Sequence, residues 1–384
     1  MKPRVLMMSQ EVHPVPPQKG AAVEQWMDAV AHRLTRYEPH LVSVPHPDRP
    51  DDEVEGGVHY HRIRIGRVYN RLFRKITRLD PCSYADRVAR YAQAVQPAII
   101  HIHNAPKFVD AIAARVPGAK VILHMHNEKD DAIRTRLDAV AGCSAYIRDW
   151  YQARPVSAGC FAVLDNGVDI AAYAPERSAP DAVKRLRAAN KVPADRFVVL
   201  YAGRISPEKG PDRLAAAMHH LDRDRFHLVL IGEWPKGDPD KSGRVRYARE
   251  LAAALDGLPH TVIDTVAPHD MPRLYALGDL LVIPSRFEEP FSMVAIEAMA
   301  AQVPVLALKK GGMTEYMRDG ENALLLDGDA SAEQIAAAIR AAADTPQHLT
   351  QVAAAARAMV ERRFDWQSVT AGTERLYDAV LAVK

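Results

Sequence analysis

Short runs of consecutive apolar residues recur along the chain, and segments whose apolar positions return every three or four residues follow them. In the first half the runs are RVLMMS (4–9), HLVSV (40–44), AIIHIHN (98–104) and KVILHMHN (120–127). A continuous apolar run is typical of a strand buried on both faces, and the wider spacing indicates a helix, as in residues 21–34. The first half is therefore predicted to form a parallel sheet covered by helices.

A second series of the same kind follows. Its runs are RFVVLYAGR (196–204), FHLVLIG (226–232), HTVID (260–264), LLVIPS (280–285), VPVLAL (303–308) and NALLLD (322–327). Two series in succession predict the α/β class with two doubly wound, Rossmann-like domains. We expect the domains at 1–165 and 181–365, joined by a turn-rich linker at 166–180. The final segment predicts a helix with apolar positions Val369, Leu376, Val380 and Leu381, which suits either domain.

Composition excludes several classes of protein. The 384 residues are 48% hydrophobic and 26% charged, and 50 basic side chains balance 48 acidic ones, so the whole chain is not attracted to nucleic acid. The cysteines Cys82, Cys143 and Cys160 are odd in number and lack C-x-x-C spacing, which favours a reducing compartment. No stretch approaches the ~20 apolar residues of a membrane span. We therefore expect a cytoplasmic protein, with contact to the inner face of the membrane left open.

The stretch YAGRISPEKGPDRL (201–214) is a candidate anion site. A predicted strand ends at Ala202, Gly203 permits a turn, and Arg204 and Lys209 follow before a predicted helix. Ligands of open α/β sheets bind beyond the carboxyl ends of the strands, and two cations there can neutralise a diphosphate. Taken alone, the stretch fits a solvated loop with incidental charges at least as well.

The stretch PSRFEEPFSMVAIE (284–297) offers two carboxylates around a predicted helix start. Pro290 suits the first turn of a helix, so Glu289 precedes the helix and Glu297 lies about two turns inside it. The amides of Ser292 and Met293 form an anion site, and the carboxylates can accept hydrogen bonds from sugar hydroxyls. The alternative is an acidic residue near the helix N-terminus and a second one on a solvent face.

Four histidines lie at the ends of two predicted strands, His101 and His103 on one and His124 and His126 on the next. Because side chains alternate along a strand, each pair shares one face of the sheet. Four imidazoles suit zinc, but no carboxylate or cysteine joins them at ligand spacing. The preferred interpretation has one or two of them lining an active cleft and the others hydrogen-bonded in the structure, with no metal.

Two further patterns are weaker. In PVPPQKGAAVEQW (14–26), Gly20 precedes a predicted helix and allows a ligand to approach the backbone, although the dinucleotide fingerprint G-x-G-x-x-G is absent. Residues 62–78 predict a basic amphipathic helix, suited to an anionic membrane or an anionic acceptor but explained equally well as a solvated face. Its cations at helical spacing are Arg67, Arg71, Arg74 and Arg78, beside the apolar Ile65, Val68, Leu72, Ile76 and Leu79.

Together these motifs resemble the retaining glycosyltransferases of the GT-B fold, in glycosyltransferase family 4, over nearly the whole chain. The residues that carry the resemblance are NGVD (166–169), GRISPEKG (203–210), EPFSMVAIEAMA (289–300), GGMTEYMRDGENALLL (311–326) and the closing FDWQSV. The resemblance is nearest to a branch with bacterial surface-polysaccharide and spore-coat transferases. It implies two domains facing a central cleft, and a C-terminal helix, about 366–384, that packs back on the first domain.

The resemblance also implies roles for single residues. Arg204 and Lys209 would bind the donor diphosphate, Glu297 the ribose hydroxyls and Glu289 the transferred sugar, with the Phe291 and Ser292 amides near the phosphate or sugar. His126 matches the cleft histidine near the anomeric carbon, and Gly20 a glycine loop over the phosphates. Four positions depart from the family pattern and leave the donor base and sugar open: Ala21, Asp264, Ser292 and Gln302.

The implied reaction transfers a hexose or N-acetylhexosamine from a nucleotide diphosphate sugar, UDP-linked or GDP-linked, to a hydroxyl of a glycan or lipid-linked acceptor. Arg204, Lys209 and the helix N-terminus would stabilise the leaving diphosphate without a metal. A glycosidase with two flanking carboxylates fits poorly, because one glutamate lies where a ribose would bind. The alternatives left open are a nucleotide-sugar 2-epimerase and a non-catalytic coat protein of the same fold.

Overall fold

The computed structural model describes residues 2–18, 20–173, 180–264 and 266–383. The chain divides into two compact units. Unit 1 comprises Met1–Gly167 and Trp366–Lys384, and unit 2 comprises Val168–Asp365. Each unit contains its own parallel sheet, so the α/β class with two Rossmann-like units is confirmed. Of the predicted linker at 166–180, residues 174–179 lie outside the described part of the chain.

Unit 1 has an eight-stranded sheet of order β3-β4-β2-β1-β5-β6-β7-β8, in which only the edge strand β3 runs antiparallel to its neighbour. Its strands are β1 (Arg4–Met8), β2 (Glu38–Ser43), β3 (Asp52–Glu55), β4 (Val58–Arg62), β5 (Ile99–His103), β6 (Lys120–Met125), β7 (Leu137–Gly142) and β8 (Ala158–Val163). Its helices are α1 (Ala22–Ala31), α2 (Arg67–Tyr69), α3 (Tyr84–Val95), α4 (Val109–Ala113) and α5 (Ala145–Gln152).

Unit 2 has a six-stranded, wholly parallel sheet of order β11-β10-β9-β12-β13-β14. Its strands are β9 (Phe197–Ala202), β10 (Phe226–Ile231), β11 (His260–Ile263), β12 (Leu280–Ile283), β13 (Val305–Leu308) and β14 (Leu324–Leu326). Its helices are α6 (Pro180–Ala189), α7 (Pro211–Met218), α8 (Gly243–Ala254), α9 (Met271–Leu274), α10 (Met293–Ala300), α11 (Ala332–Asp344) and α12 (Pro346–Arg363).

The last helix, α13 (Trp366–Ala382), packs within unit 1. Tyr377 is fully buried, and its hydroxyl lies 2.7 Å from Nδ1 of His101 on β5. The Glu374 carboxylate accepts hydrogen bonds from the backbone N–H groups of Thr35 and Arg36, at 2.8 and 2.9 Å. These bonds satisfy backbone donors just after α1, so the end of the chain completes the core formed by its beginning.

The second series of apolar runs yields a strand at each of its six predicted places, whereas the first series finds only four of the eight strands in unit 1. The missed strands are β3, β4, β7 and β8. β3 is a short polar edge strand of sequence DEVE with mostly exposed side chains. β7 and β8 are rich in alanine and glycine, so their apolar signal is weak.

The basic amphipathic pattern at 62–78 does not form the regular α-helix that the sequence predicts. The short α2 continues as a π-helix over Asn70–Thr77, and the turn ends at Arg78 in the left-handed conformation, with φ +57°. A π-helix contains more residues per turn than an α-helix, so cations spaced for an α-helix do not align on one stripe. Arg74 points back to Glu11 and Asp80, as ion pairs of 2.5 and 2.9 Å. Of the four arginines at predicted helical spacing, Arg74 thus has its charge opposed by two carboxylates, and contact of the segment with a membrane stays a prediction.

Among the described residues, no helix combines the length and the hydropathy that crossing a bilayer requires.

Candidate active site

Two loops at the carboxyl ends of β9 and β12 meet in unit 2. The first runs from Gly203 to Gly210, where α7 begins, and the second runs from Pro284 to the start of α10. Gly210 has φ +69°, and a Cβ on it would lie 2.3 Å from the carbonyl oxygen of Pro284. The backbone N–H of Arg286 donates to the carbonyl of Glu208 at 2.8 Å. Only glycine allows this close approach, and the approach brings the two loops together.

Lys209 and Glu289 form an ion pair where these loops meet. Nζ of Lys209 lies 2.8 and 2.9 Å from the two carboxylate oxygens of Glu289, and the Ser285 hydroxyl donates to the same carboxylate. Glu289 is only 3% exposed. A buried carboxylate is stable when it is paired and hydrogen-bonded, so this arrangement holds a charged pair at the sheet edge. Spacing in the sequence did not predict the direct contact of these two residues.

Arg204 follows β9 on the same loop as Lys209. Its side chain is exposed, and within the described residues it takes part in no ion pair. The Tyr201 hydroxyl donates to the Arg204 carbonyl at 2.7 Å, which holds the backbone of the loop against the end of its strand. The result is a guanidinium presented to solvent on a held backbone, available for bidentate contact with an anion.

The helix α10 begins at Met293, three residues after the proline expected in its first turn, and Ser292 is its N-cap. Ser292 has φ +74°, and its side chain makes no capping hydrogen bond. The first N–H groups of a helix have no acceptor inside the helix, so the Met293 end of α10 presents free donors and a positive helix dipole. The anion site predicted at Ser292 and Met293 therefore has the backbone it requires, although its ligand stays a prediction.

Phe291 belongs to the core and not to an open pocket. Its side chain is 3% exposed, and its ring packs against those of Tyr316 and Phe364 at centroid distances of 5.4 and 5.2 Å. The Tyr316 hydroxyl donates to the Phe291 carbonyl at 2.6 Å. Only the backbone of Phe291 is thus available to a ligand, as the resemblance implies, while the ring and Tyr316 hold the segment before α10 in place.

Glu297 lies on α10 among tyrosines that the sequence did not point to. The Tyr275 hydroxyl donates to its carboxylate at 2.6 Å, and Tyr173 supplies a further hydrogen bond. Burial raises the pKa of Glu297, and these hydrogen bonds oppose part of the rise. Tyr275 comes from another element of unit 2 and Tyr173 from before α6, so no local spacing could reveal the cluster. The predicted role of Glu297 with ribose hydroxyls stays a prediction.

Gly20 and His126 belong to unit 1. Gly20 is exposed, and no atom lies within 4 Å of the position that a Cβ would take, so its backbone is open to solvent. His126 follows β6, and burial lowers the pKa of its imidazole to about 4. A hydrogen bond with the Asn166 side chain opposes part of this lowering. Both residues keep their predicted roles as predictions.

Similarity to solved structures covers the entire chain. Sucrose-phosphate synthase from Thermosynechococcus elongatus matches 99% of this chain with a TM-score of 0.79 and 20% identity, over 100% of its own length. The HepE protein of Anabaena in complex with UDP-glucose matches 99% with a TM-score of 0.73 and 22% identity, also over 100% of its length. These likenesses define the GT-B fold of two Rossmann-like units.

Sequence comparison identifies the family. Residues 23–172 match the protein family described as Glycosyltransferase Family 4, and residues 183–359 match the family described as Glycosyl transferases group 1. Lipopolysaccharide 1,2-N-acetylglucosaminetransferase from Salmonella typhimurium is 32% identical over 377 residues, 95% of this chain and 96% of its own. Spore coat protein SA from Bacillus subtilis is 26% identical over 98% of this chain and 99% of its own. The chain is a glycosyltransferase and belongs to glycosyltransferase family 4.

Proposed function

We propose that this glycosyltransferase moves a hexose or N-acetylhexosamine from a UDP-sugar to a hydroxyl of a glycan or lipid-linked acceptor, with retention of the anomeric configuration, in the synthesis of a bacterial surface polysaccharide. The observation that carries the proposal is the ion pair between half-buried Lys209 and buried Glu289, beside the exposed Arg204 guanidinium. The relative named for N-acetylglucosamine transfer to lipopolysaccharide supports the acceptor class. The UDP-glucose complex of a structural neighbour supports a UDP donor over a GDP donor.

The donor diphosphate is proposed to bind where Arg204, Lys209 and the N-terminus of α10 lie at the carboxyl edge of the unit 2 sheet. Open α/β sheets bind ligands at this edge, and a helix N-terminus adds amide donors and a positive dipole. Nζ of Lys209 is held 2.8 Å from the Glu289 carboxylate. A diphosphate therefore approaches cations that the protein holds in place, and the cost of ordering them is reduced.

The chemistry follows from this charge distribution. The bond between the anomeric carbon and the diphosphate oxygen breaks, and its electron pair goes to the diphosphate. The acceptor oxygen bonds to the anomeric carbon on the same face, and its proton passes to the leaving diphosphate. Negative charge develops on that leaving group, where Arg204, Lys209 and the α10 amides stabilise it. These groups supply the positive charge, so the proposed step requires no metal.

The sugar end of the donor is assigned to Glu289. Its carboxylate already accepts hydrogen bonds from Lys209 and Ser285, and these bonds orient it in a buried position. An ionised carboxylate accepts hydrogen bonds from sugar hydroxyls more strongly than a neutral group does. We assign His126 and Gly20 by the resemblance alone, and His126→Ala tests the first of these two assignments in the assay below.

The test is release of nucleotide from UDP- and GDP-sugars in the presence of lipopolysaccharide or lipid-linked acceptors. We expect turnover with a UDP-sugar and an unchanged anomeric configuration in the product, read by proton NMR. Arg204→Ala is expected to lower kcat/KM by about 100-fold or more, because one preorganised donor to the leaving group is lost. Glu289→Gln keeps the shape but not the charge, and is expected to reduce turnover of the sugar more than binding of UDP.

Arg223→Ala is the matched control, because Arg223 is an exposed arginine of unit 2 on the turn that precedes β10. It should leave kcat/KM unchanged. Turnover that survives Arg204→Ala and Glu289→Gln at the level of this control would contradict the assigned site. Epimerised sugar without transfer would replace the proposal with the 2-epimerase, and absence of nucleotide binding would favour a coat protein.

Contact with a membrane surface is proposed for the basic amphipathic segment, residues 67–79. Four large apolar side chains there are strongly exposed, Val68, Leu72, Ile76 and Leu79, at 80%, 45%, 65% and 75%. The exposed cations beside them are Arg67, Arg71, Lys75 and Arg78, and residues 67–79 contain no acidic side chain. Apolar side chains beside unopposed cations match the chemistry of an anionic lipid surface. Such contact would bring the enzyme to a lipid-linked acceptor.

A further inference from the structure

Three histidines of unit 1 form a cluster inside its core. His101 and His103 lie on β5, His124 lies opposite His103 on β6, and each of the three is 0% exposed. One ring nitrogen from each lies within 4.8 Å of a ring nitrogen from each of the others. Trp26 covers the cluster, with its ring centroid 4.9 Å from those of His103 and His124. The proposed transfer reaction assigns no role to these three side chains.

Most of the ring nitrogens in the cluster have no partner. Among the described residues, no hydrogen bond is found for Nε2 of His101, for either nitrogen of His103, or for Nδ1 of His124. A neutral imidazole carries one N–H donor and one lone pair, and buried polar groups in folded proteins are nearly always paired. Four unpaired nitrogens at one place indicate that a further group belongs among them.

The outer contacts set the orientation of two of the rings. Nε2 of His124 lies 3.2 Å from the carbonyl oxygen of Leu164, which can only accept, so this nitrogen carries the proton. Nδ1 of His124 therefore presents its lone pair to the cluster. The Tyr377 hydroxyl holds Nδ1 of His101 at 2.7 Å and leaves Nε2 toward its neighbours. Backbone carbonyls and polar side chains play the same part behind the histidine ligands of metal sites.

The type of ligand also restricts the choice of cation. Nitrogen ligands without carboxylates suit zinc and its neighbours and do not suit magnesium or calcium, which require oxygen.

We propose that His101, His103 and His124 bind one divalent transition-metal ion of the zinc class in the core of unit 1. Zinc–nitrogen bonds of about 2.0–2.1 Å place the ligands of a tetrahedral site about 3.4 Å apart, so small ring rotations close the present cluster around the ion. The fourth position of the tetrahedron falls to water. The ion joins β5 to β6 under α13 and acts on stability, not on the transfer reaction.

The first test measures metal in the full-length chain without a histidine tag. After incubation with Zn²⁺ and dialysis, we expect about one ion per chain by mass spectrometry. Chelation should lower the thermal midpoint by about 5 °C, and Zn²⁺ should restore it, because an ion that binds only the folded state stabilises it. Co²⁺ in place of Zn²⁺ should give the visible absorption of a tetrahedral nitrogen site. Less than about 0.1 ion per chain, with a midpoint that neither chelator nor Zn²⁺ changes, would overturn the proposal.

The second test uses His103→Phe, which keeps a ring of similar size and removes two nitrogens that have no partner in the described protein. With a metal site, the variant loses the ion and the response of its thermal midpoint to Zn²⁺. Without one, removing unpaired buried nitrogens leaves the midpoint unchanged or raises it, and this result contradicts the proposal. The Co²⁺ spectrum of the unaltered chain gives the answer should the variant fail to fold.

His59→Ala is the control. His59 belongs to a second, less buried group with Glu38 and His40 at the edge of the same sheet, and these three also place ligand atoms within 4.8 Å of one another. His59→Ala should keep the metal content and the Co²⁺ spectrum of the unaltered chain. Loss of the ion in His59→Ala, with retention in His103→Phe, would move the site to that group and overturn the assignment to the core.

Discussion

At the scale of single residues, Ser292 and Gln302 show how the structure explains a departure in the sequence. Both stand where the family pattern has glycine, and both adopt the left-handed region, with φ +74° and φ +55°. Ser292 precedes α10, and Gln302 follows it just before β13. A side chain in this region costs about 1 kcal/mol or more relative to glycine. At these two positions the backbone conformation of the fold is retained although serine and glutamine disfavour a positive φ.

We predict that Ser292→Gly stabilises unit 2 by about 1 kcal/mol, because glycine adopts φ +74° without the steric cost of a Cβ and no capping hydrogen bond is lost. Chemical denaturation followed by circular dichroism measures the change. Gln302→Gly should have an effect of the same sign. Both substitutions restore the residue of the family pattern, so the effect on donor choice can be read from the same proteins in the nucleotide-release assay.

Ser242→Gly is the control for this prediction. Ser242 is also a helix N-cap without a capping hydrogen bond from its side chain, but its φ is −143°, where serine is not strained. Glycine there should leave the free energy of unfolding unchanged or lower it, since only the unfolded chain gains freedom. Equal stabilisation by Ser292→Gly and Ser242→Gly would show that strain at Ser292 is not the cause.

At the scale of elements, the basic amphipathic segment predicts a measurable affinity for anionic bilayers. Vesicles with about one third phosphatidylglycerol should bind the protein at low salt, because each cation near such a surface contributes about 1 kcal/mol. Neutral phosphatidylcholine vesicles should bind far less. Replacing Leu72 and Ile76 by serine should lower binding to the anionic vesicles about 10-fold or more, since burial of both side chains is lost.

Flotation of the protein with vesicles measures this binding, and Val54→Ser is the control. Val54 is 63% exposed on the edge strand β3, in the same unit but outside the segment, and its substitution should change nothing. Removal of Arg74 is not expected to act through lipid, because that side chain pairs with Glu11 and Asp80. Equal binding to neutral and anionic vesicles would contradict an electrostatic contact.

At the scale of the whole molecule, the C-terminal helix ties the last residues to the first unit. We predict that Glu374→Ala destabilises unit 1 by about 2 kcal/mol, because the buried Glu374 carboxylate is lost as a charged acceptor for the N–H groups of Thr35 and Arg36. Urea unfolding followed by tryptophan fluorescence measures the effect, since unit 1 contains Trp26, Trp150 and Trp366.

Arg375→Ala provides the comparison on the same helix. Arg375 is exposed beside Glu374, and surface substitutions of this kind change stability by about 0.5 kcal/mol or less. Glu374→Ala with an effect no larger than that of Arg375→Ala would mean that the hydrogen bonds of Glu374 do not stabilise unit 1.

How much could be predicted from the sequence depended on the strength of the local pattern. The mostly apolar strands of unit 2, such as β10 with FHLVLI, can be predicted from the sequence because a strand covered on both faces has no polar side. The edge strand β3 and the alanine-rich β7 lack that signal, since their pairing depends on neighbours from elsewhere in the chain. Motif order gave the family, which the comparisons confirm.

In the active site, too, the sequence predicted the local features and only the structure revealed the long-range contacts. The charged groups of the site could be identified from GRISPEKG and from the stretch between Glu289 and Glu297, because each motif contains its charged residues within a few positions. The partners of those groups come from distant positions: Lys209 meets Glu289 eighty residues along, and Tyr275 meets Glu297 from another element. Contacts of this length depend on how loops approach at the sheet edge, as at Gly210 and Pro284, and no spacing rule contains that information.

The sequence by itself determined the α/β class, the two-unit organisation, the family and the list of charged residues at the strand ends. These properties follow from periodicity and from ordered motifs, both of which are local. Only the tertiary structure decided that Lys209 pairs with Glu289, that Arg74 pairs with Glu11, that α13 completes unit 1, and that three histidines share one buried space. Burial and pairing arise when distant segments exclude water together, so they exist only in the folded chain.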